Sequence, residues 1–339
     1  MANVTNAGPS GPPTALSSLT VAGVPIISSG GAPFFNGRWI FCDAVNGSDG
    51  NTGASDNPVQ TLTQAYSLTT SGKNDTIVIV SDGTTSSTQR LSATLTWANN
   101  ATHLIGMAPP TRIANRARIS TPTTATTNIN PLMSITGNDC MFANFSFFQG
   151  VGQSSTDEKL IDITGQRNWF GNIQFGGLGH ANGAARSGSY IIKLGNGGSE
   201  NTFDTCVIGL ETIARTAANA NVVVGGASSQ RNNFYNCQFM MYDKTNTTPL
   251  FVDASAANCL NGSSMTFRNC LFQNLTGLTG SVDPAVVMTA NATINGVIVF
   301  DQCTTNATKW CAATTQVIVS GYAIGNGFSS GRFATAADS

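Results

Sequence analysis

The chain has 339 residues, enough for one or two domains, but only 10% are charged: 16 Lys plus Arg against 17 Asp plus Glu, for a net charge of -1. Without a basic block there is no footprint for neutralising phosphates, which argues against nucleic-acid binding. With 41% hydrophobic residues, charge-driven disorder is excluded too. No apolar run approaches the roughly 18 residues that span a bilayer, and the first residues carry no basic-then-apolar leader, so a soluble chain is expected.

Residues 1–36 are rich in Gly, Pro, Ser and Ala, with one apolar stretch at Val21 to Ile27, and read as an extended arm for anchoring or subunit contact. A cap and first coils are expected over 37–127. They begin with a strand, Trp39-Ile40-Phe41-Cys42-Asp43, and a turn-rich loop, Asn46-Gly47-Ser48-Asp49-Gly50-Asn51. The segment Pro58-Val59-Gln60-Thr61-Leu62-Thr63-Gln64-Ala65-Tyr66 reads as a helix, and Asp75 to Val80 as the next strand.

From residue 128 to 312 a repeat dominates. The pattern is Phe, any residue, a polar residue, Cys or an apolar residue, any residue, then an apolar residue. It starts at Phe142, Phe170, Phe203, Phe234 and Phe267 and decays at Phe300, with spacings of 28, 33, 31, 33 and 33. A β-rich segment precedes each copy: Leu132 to Ile135, Leu160 to Ile163, Tyr190 to Leu194, Val222 to Val224, Leu250 to Val252 and Ala285 to Met288.

Positions i and i+3 of one strand face opposite sides, yet both are apolar here, so the chain must bend between them. The bend falls at the polar i+2 residue. Asn tolerates the left-handed backbone, so Asn144, Asn172, Asn236 and Asn269 are expected to stack as a ladder. Two or three short strands per turn, each coil about 4.8 Å from the next, give an all-β fold: a single-stranded parallel β-helix. Cys206, Cys237, Cys270 and Cys303 then form an interior column equivalent to Phe145 and Ile173, and are expected to be free buried thiols. Residues 313–339 read as a closing strand at Val317-Ile318-Val319 followed by a tail from Phe328.

The opening strand ending in Asp43, the Asn-Gly-Ser-Asp-Gly loop, the Pro-x-x-Thr-Leu-x-x-Ala-Tyr helix and the Asp75-Thr76-Ile77-Val78-Ile79-Val80 strand resemble the start of pectin-lyase-like β-helices. That resemblance implies a right-handed coil with an N-terminal capping helix over the open first turn. The stretch Thr84-Thr85-Ser86-Ser87, with Trp97 and Thr102 to Gly106, resembles β-helical proteins of tailed bacteriophages. It implies a structural virion protein at the particle surface, assembled in the host cytoplasm. The expected role is a trimeric capsid decoration or cement knob whose partners are itself and the major capsid protein, with no nucleic acid or membrane. The alternative is a tail-associated receptor-binding spike that binds or cleaves a host surface polysaccharide.

Candidate chemistry is sparse, and the expectation is of no enzyme and no catalytic, cofactor-binding or metal-binding residue. Asp204 and Asp301 lie three coils apart, roughly 14 Å. A glycosidase carboxylate pair needs roughly 5 to 9.5 Å. Arg268 beside Asp301 reads as a surface ion pair, and Asp157-Glu158 with Lys159 as a solvated turn. Asp43, Asn46, Asp49 and Asn51 offer oxygens to calcium but serve a Gly-punctuated turn equally well. With only His103 and His180 and no CxxC, a structural zinc site is not expected. His103 reads as structural, and His180 has no assigned role. Arg112, Arg116 and Arg118 form the one basic cluster, expected to meet another subunit or an acidic surface.

Overall fold

The computed structural model describes residues 37–243, 249–274, 293–305, 307, 310–311 and 316–320. It also describes the backbone of four short strands at 20–21, 24–25, 288–290 and 332–333. The expected arm, including Val21 to Ile27, and most of the expected tail therefore lie outside the described residues.

Three sheets of eleven, eight and seven strands, parallel except for the terminal strand Arg332–Phe333, wind around one core, and each regular coil of the middle of the chain contributes one short strand to each sheet. In sheet I, Met141–Ala143, Trp169–Gly171, Thr202–Asp204, Asn233–Tyr235, Ser263–Arg268 and Gly296–Asp301 stack in register, so the six Phe of the repeat are direct neighbours. Their rings stack at centroid separations of 4.9, 4.6, 4.5, 4.8 and 5.0 Å, and all are buried. Offset aromatic pairs at such separations add about 0.5–1.5 kcal/mol each beyond their burial.

The bend falls where the repeat places it. Asn144, Asn172, Thr205, Asn236, Asn269 and Gln302 all have φ between 49° and 57°. The chain then enters sheet II, where Phe145, Ile173, Cys206, Cys237, Cys270 and Cys303 point inward and are at most 2% exposed. The β-rich segments form sheet III: Met133–Ile135, Lys159–Ile163, Tyr190–Leu194, Ala220–Val224, Leu250–Ala254 and Met288–Ala290. Ala285 to Val287 lie outside the described residues.

A second ladder lies two residues before the repeat Phe, where the sequence pattern did not reveal it. Asn168, Asn201 and Asn232 are buried. Asn201 Oδ1 accepts from Asn168 N at 3.0 Å, and Asn232 Oδ1 accepts from Asn201 N at 3.0 Å. Their amides donate to the carbonyls of Gly137, Gly165 and Gly198 in the preceding turns. Each Asn thus satisfies backbone groups that the tight turn into sheet I would leave unpaired.

The first coil is closed as the capping helix requires, and by more than the helix. Helix α1 (Leu62–Ser67) packs Leu62 and Ala65 onto the core, with Thr61 as its N-cap accepting from Gln64 N at 3.1 Å. Residues 53–59 pair with the free edge of Trp39–Asp43: Phe41 N donates to Gly53 O at 2.7 Å and Asp43 N to Val59 O at 2.8 Å. The far end is closed by Val317–Ser320, which pairs with Gly296–Asp301 and carries the antiparallel strand Arg332–Phe333.

Candidate functional site

The residues singled out for chemistry are mostly engaged within the chain. Asp43 Oδ1 accepts from Val45 N and Asn46 N at 2.9 and 3.0 Å, and these hydrogen bonds hold its carboxyl below the usual range against a desolvation that raises it. Asp49 accepts from Gln60 N, Thr61 N and Thr61 Oγ1. Asn46 and Asn51 turn their amide nitrogens inward as donors to Asp43 Oδ2 and Pro58 O. The loop is built as a turn, and among the described residues no group of three or more His, Cys, Asp and Glu is placed to hold a metal.

His103 is buried and accepts from Met141 N through Nδ1 at 3.1 Å, while its Nε2 faces Asn74 Oδ1 at 3.4 Å. Burial lowers its pKa to about 4, with Asp75 opposing the shift. Asp204, Tyr235, Arg268 and Asp301 stand in one outward column of sheet I, so the two carboxylates are three coils apart. Arg268 pairs with Asp301 at 2.7 Å. The same alternation recurs at the turn into sheet I, where Arg167 pairs with Asp139 at 2.8 Å and Arg231 with Glu200 at 2.6 Å.

Glu158 corrects the expected solvated turn. Asp157 and Lys159 are partly exposed and 3.9 Å apart, but Glu158 between them is wholly buried. Alternation in an extended segment sends it inward while its neighbours face out. Its Oε1 accepts from Gly179 N at 3.1 Å, beside the left-handed Leu178, where successive amides form a nest for an anion. Burial nevertheless raises its pKa, overcoming those amides and the attraction of Arg215. Arg215 is also buried, lies in register with Asp243, and has both terminal nitrogens without a hydrogen-bond partner; burial lowers its pKa. Glu158 Oε2 lacks a partner as well. This interior charge cluster joins the loops of successive coils, and no periodic pattern of residues announces it.

The outward-facing chemistry gathers on sheet II. Gln89–Arg90, Arg118–Ser120, Ser146–Phe148 and Gln174–Gly176 pair so that Arg90, Ser120, Phe148 and Gly176 form one column, next to Arg118, Ser146 and Gln174. Within the first strand, Gln89 turns inward, accepting from Leu62 N at 2.9 Å at the start of α1, and so sends Arg90 outward. Arg90 and Arg118 line a cleft of about 290 Å³ with Thr85, Thr88, Ser120, Thr121, Pro122, Thr123, Ala125, Phe148, Gly150, Val151 and Gly152.

Arg90 Nη1 donates to Thr121 O at 2.8 Å and Arg118 Nε to Ser146 Oγ at 3.4 Å. Among the described residues neither guanidinium has a carboxylate within 4.0 Å, unlike Arg167, Arg231 and Arg268. Partial burial lowers the pKa of both, and Arg116 and Arg90 lower that of Arg118 further. Both remain cationic, in a site where an anion would relieve the repulsion. His180 reaches the rim: its Nδ1 accepts from Asn182 N as the N-cap of α2 (Ala181–Ala184), and its ring packs over Gly152.

The expected basic cluster is thus split and rebuilt. Arg118 enters the cleft and the exposed Arg116 stays near it, but Arg112 runs along the bends to donate to Asn236 O at 3.1 Å. Arg90 takes its place, a residue that only the closing of a coil brings beside Arg118.

No protein-family profile matches the chain, and no curated protein matches it. Solved structures do. Pectate lyase Pel9A is 14% identical, covers 88% of this chain and 74% of its own, and has a TM-score of 0.54. Pectin methylesterase PemA from Erwinia chrysanthemi is 12% identical, with coverages of 89% and 93% and a TM-score of 0.52. ORF18 of Geobacillus virus E2 is 13% identical, with coverages of 80% and 60%, and at a TM-score of 0.38 carries no weight. The likenesses to the pectate lyase and the pectin methylesterase establish the right-handed, pectin-lyase-like β-helix. The likenesses to the pectin methylesterases and the pectate lyase also overturn the expectation of no enzyme: solved structures sharing this architecture are carbohydrate-active enzymes, so sparse outward carboxylates do not exclude catalysis.

Proposed function

We propose that the chain is the polysaccharide-engaging β-helix of a bacteriophage particle, which seats an anionic surface glycan in the Arg90–Arg118 cleft as a tail-associated receptor-binding spike does. The observation that carries this reading is the contrast between arginines. Arg167, Arg231 and Arg268 answer carboxylates of their own chain, whereas Arg90 and Arg118 have none within 4.0 Å among the described residues and, unlike the exposed and likewise unpaired Arg112 and Arg116, both line a cleft. Guanidinium groups suit carboxylate-bearing sugars because their planar donors match a carboxylate's two oxygens. Phe148, Val151 and the Thr and Ser hydroxyls supply the apolar and hydrogen-bonding surface that a sugar ring needs. The uronate polymers acted on by the pectin and alginate enzymes sharing the fold are the first ligands to test.

The test is affinity electrophoresis of the full chain in gels containing polygalacturonate, alginate or neutral dextran. Retardation by a uronate polymer but not dextran, weakened by salt, supports the reading. Equal mobility in all three gels overturns it. The same polymers are then sized after incubation, and chain shortening that disappears in His180→Ala would assign proton transfer to the imidazole at the rim. Copy number in purified particles separates the spike from the capsid-covering role: a few copies per particle fit a spike, whereas about one for every few shell subunits fits decoration.

A further inference from the structure

The outer face of sheet I changes character along the solenoid. In its first five strands the outward positions carry the partly or well exposed Trp39, Phe41, Val80, Ile105, Met107 and Trp169, while Asp43, Thr76 and His103 in the same columns are buried, so no charge is exposed among them. Trp39 is 41% and Met107 52% exposed. One coil further the same column turns polar, at Asp204, Tyr235, Arg268 and Asp301. Contiguous apolar surface on one sheet face marks a docking site, whereas scattered apolar residues do not.

We propose that the occupant is the chain's own N-terminal segment Val21 to Ile27, lying against this face. Residues 1–37 contain no Asp, Glu, Lys, Arg or His, which matches a face whose one carboxylate, Asp43, is buried and held by Val45 N and Asn46. The eleven residues 28–38 join the segment to Trp39 and extend to about 36 Å. The five strands of the face stand only about 19 Å tall, so the tether reaches all of it. The edge of Trp39–Asp43 is already occupied by residues 53–59, so the segment cannot add to sheet I as a further strand and is directed to the face. A tether this short raises the effective concentration of the segment to the millimolar range, which favours the chain's own arm over that of a second copy.

The test uses the full chain. Trp97 and Trp310 are at most 1% exposed, so acrylamide quenching of tryptophan fluorescence reports on Trp39 and Trp169. Replacing Val24→Asp and Ile26→Asp together should raise the quenching constant about twofold as both rings lose cover, with an unchanged far-ultraviolet spectrum. Equal quenching in the wild type and the variant overturns the proposal. A second variant, Val24→Cys with Met107→Cys, should cross-link within one chain on mild oxidation. A cross-linked dimer would assign the face to a second copy instead, and no cross-link would remove the contact.

Discussion

Asn172 donates its side-chain amide to Asn144 Oδ1 at 2.9 Å, across one coil of the solenoid and at two successive left-handed bends. The ladder resumes between Asn269 and Asn236 at 3.4 Å but breaks between Asn172 and Asn236, where Thr205 occupies the bend at φ 56°. There Asn236 turns instead to Asp204 Oδ1 at 3.1 Å. A β-branched residue in this region is strained by roughly 1–2 kcal/mol. Thr205→Asn should therefore stabilise the protein, with the melting temperature rising by about 2 °C or more. A melting temperature equal to or below wild type would show that the Thr205 hydroxyl contact with Asp204 outweighs the strain.

Two buried groups set opposing pH dependences. His103 has its pKa lowered to about 4, below the roughly 6.5 of an exposed imidazole, so its contribution is complete above about pH 6.5 and is lost as pH falls toward 4. The full loss is of order 3 kcal/mol. Glu158 is raised, so its contribution is complete below the usual carboxylate range and declines as pH rises above about 4.3. Denaturant midpoints measured from pH 4 to 9 should show His103→Gln flattening the rise in stability between about pH 4 and 6.5, and Glu158→Gln flattening the decline that runs from about pH 4.3 up to about 8. Unchanged slopes in both variants would contradict these assignments.

The thiol column is inert on the same grounds. All eight cysteines are free and buried. Burial is the first cause of the raised pKa values of Cys42, Cys140, Cys237, Cys259 and Cys270, whereas at Cys303 the contact with Cys270 leads and burial follows. Thiolate, the reactive form, is therefore scarce. Iodoacetamide at neutral pH should label fewer than about one thiol per native chain, rising to all eight in denaturant. Rapid native labelling at Cys237 or Cys270 would show that the coils open locally.

The coil was legible because its parts recur. A Phe, a bend residue and an inward Cys spaced by one turn announce a periodic backbone, and the positive φ values fall on those residues. The inner Asn168, Asn201 and Asn232 ladder recurs as well, but only three times, and Met265 takes the corresponding place before Phe267. The cleft was not legible for a different reason. Arg90 and Arg118 become neighbours through strand pairing over one coil, in strands of two and three residues that carry too little pattern to be registered in advance. Glu158 was misread because charged neighbours on either side hide a residue whose side chain alternation turns inward.

The most direct test of the Arg90–Arg118 cleft is the crystal structure of the full chain soaked with a short oligouronate, paired with titration calorimetry of Arg90→Gln and Arg118→Gln. The account predicts sugar carboxylates within hydrogen-bonding distance of both guanidiniums and an affinity loss of about tenfold for each substitution, the scale of one charged hydrogen bond. An oligouronate bound on another face, with both variants binding as tightly as wild type, would contradict it.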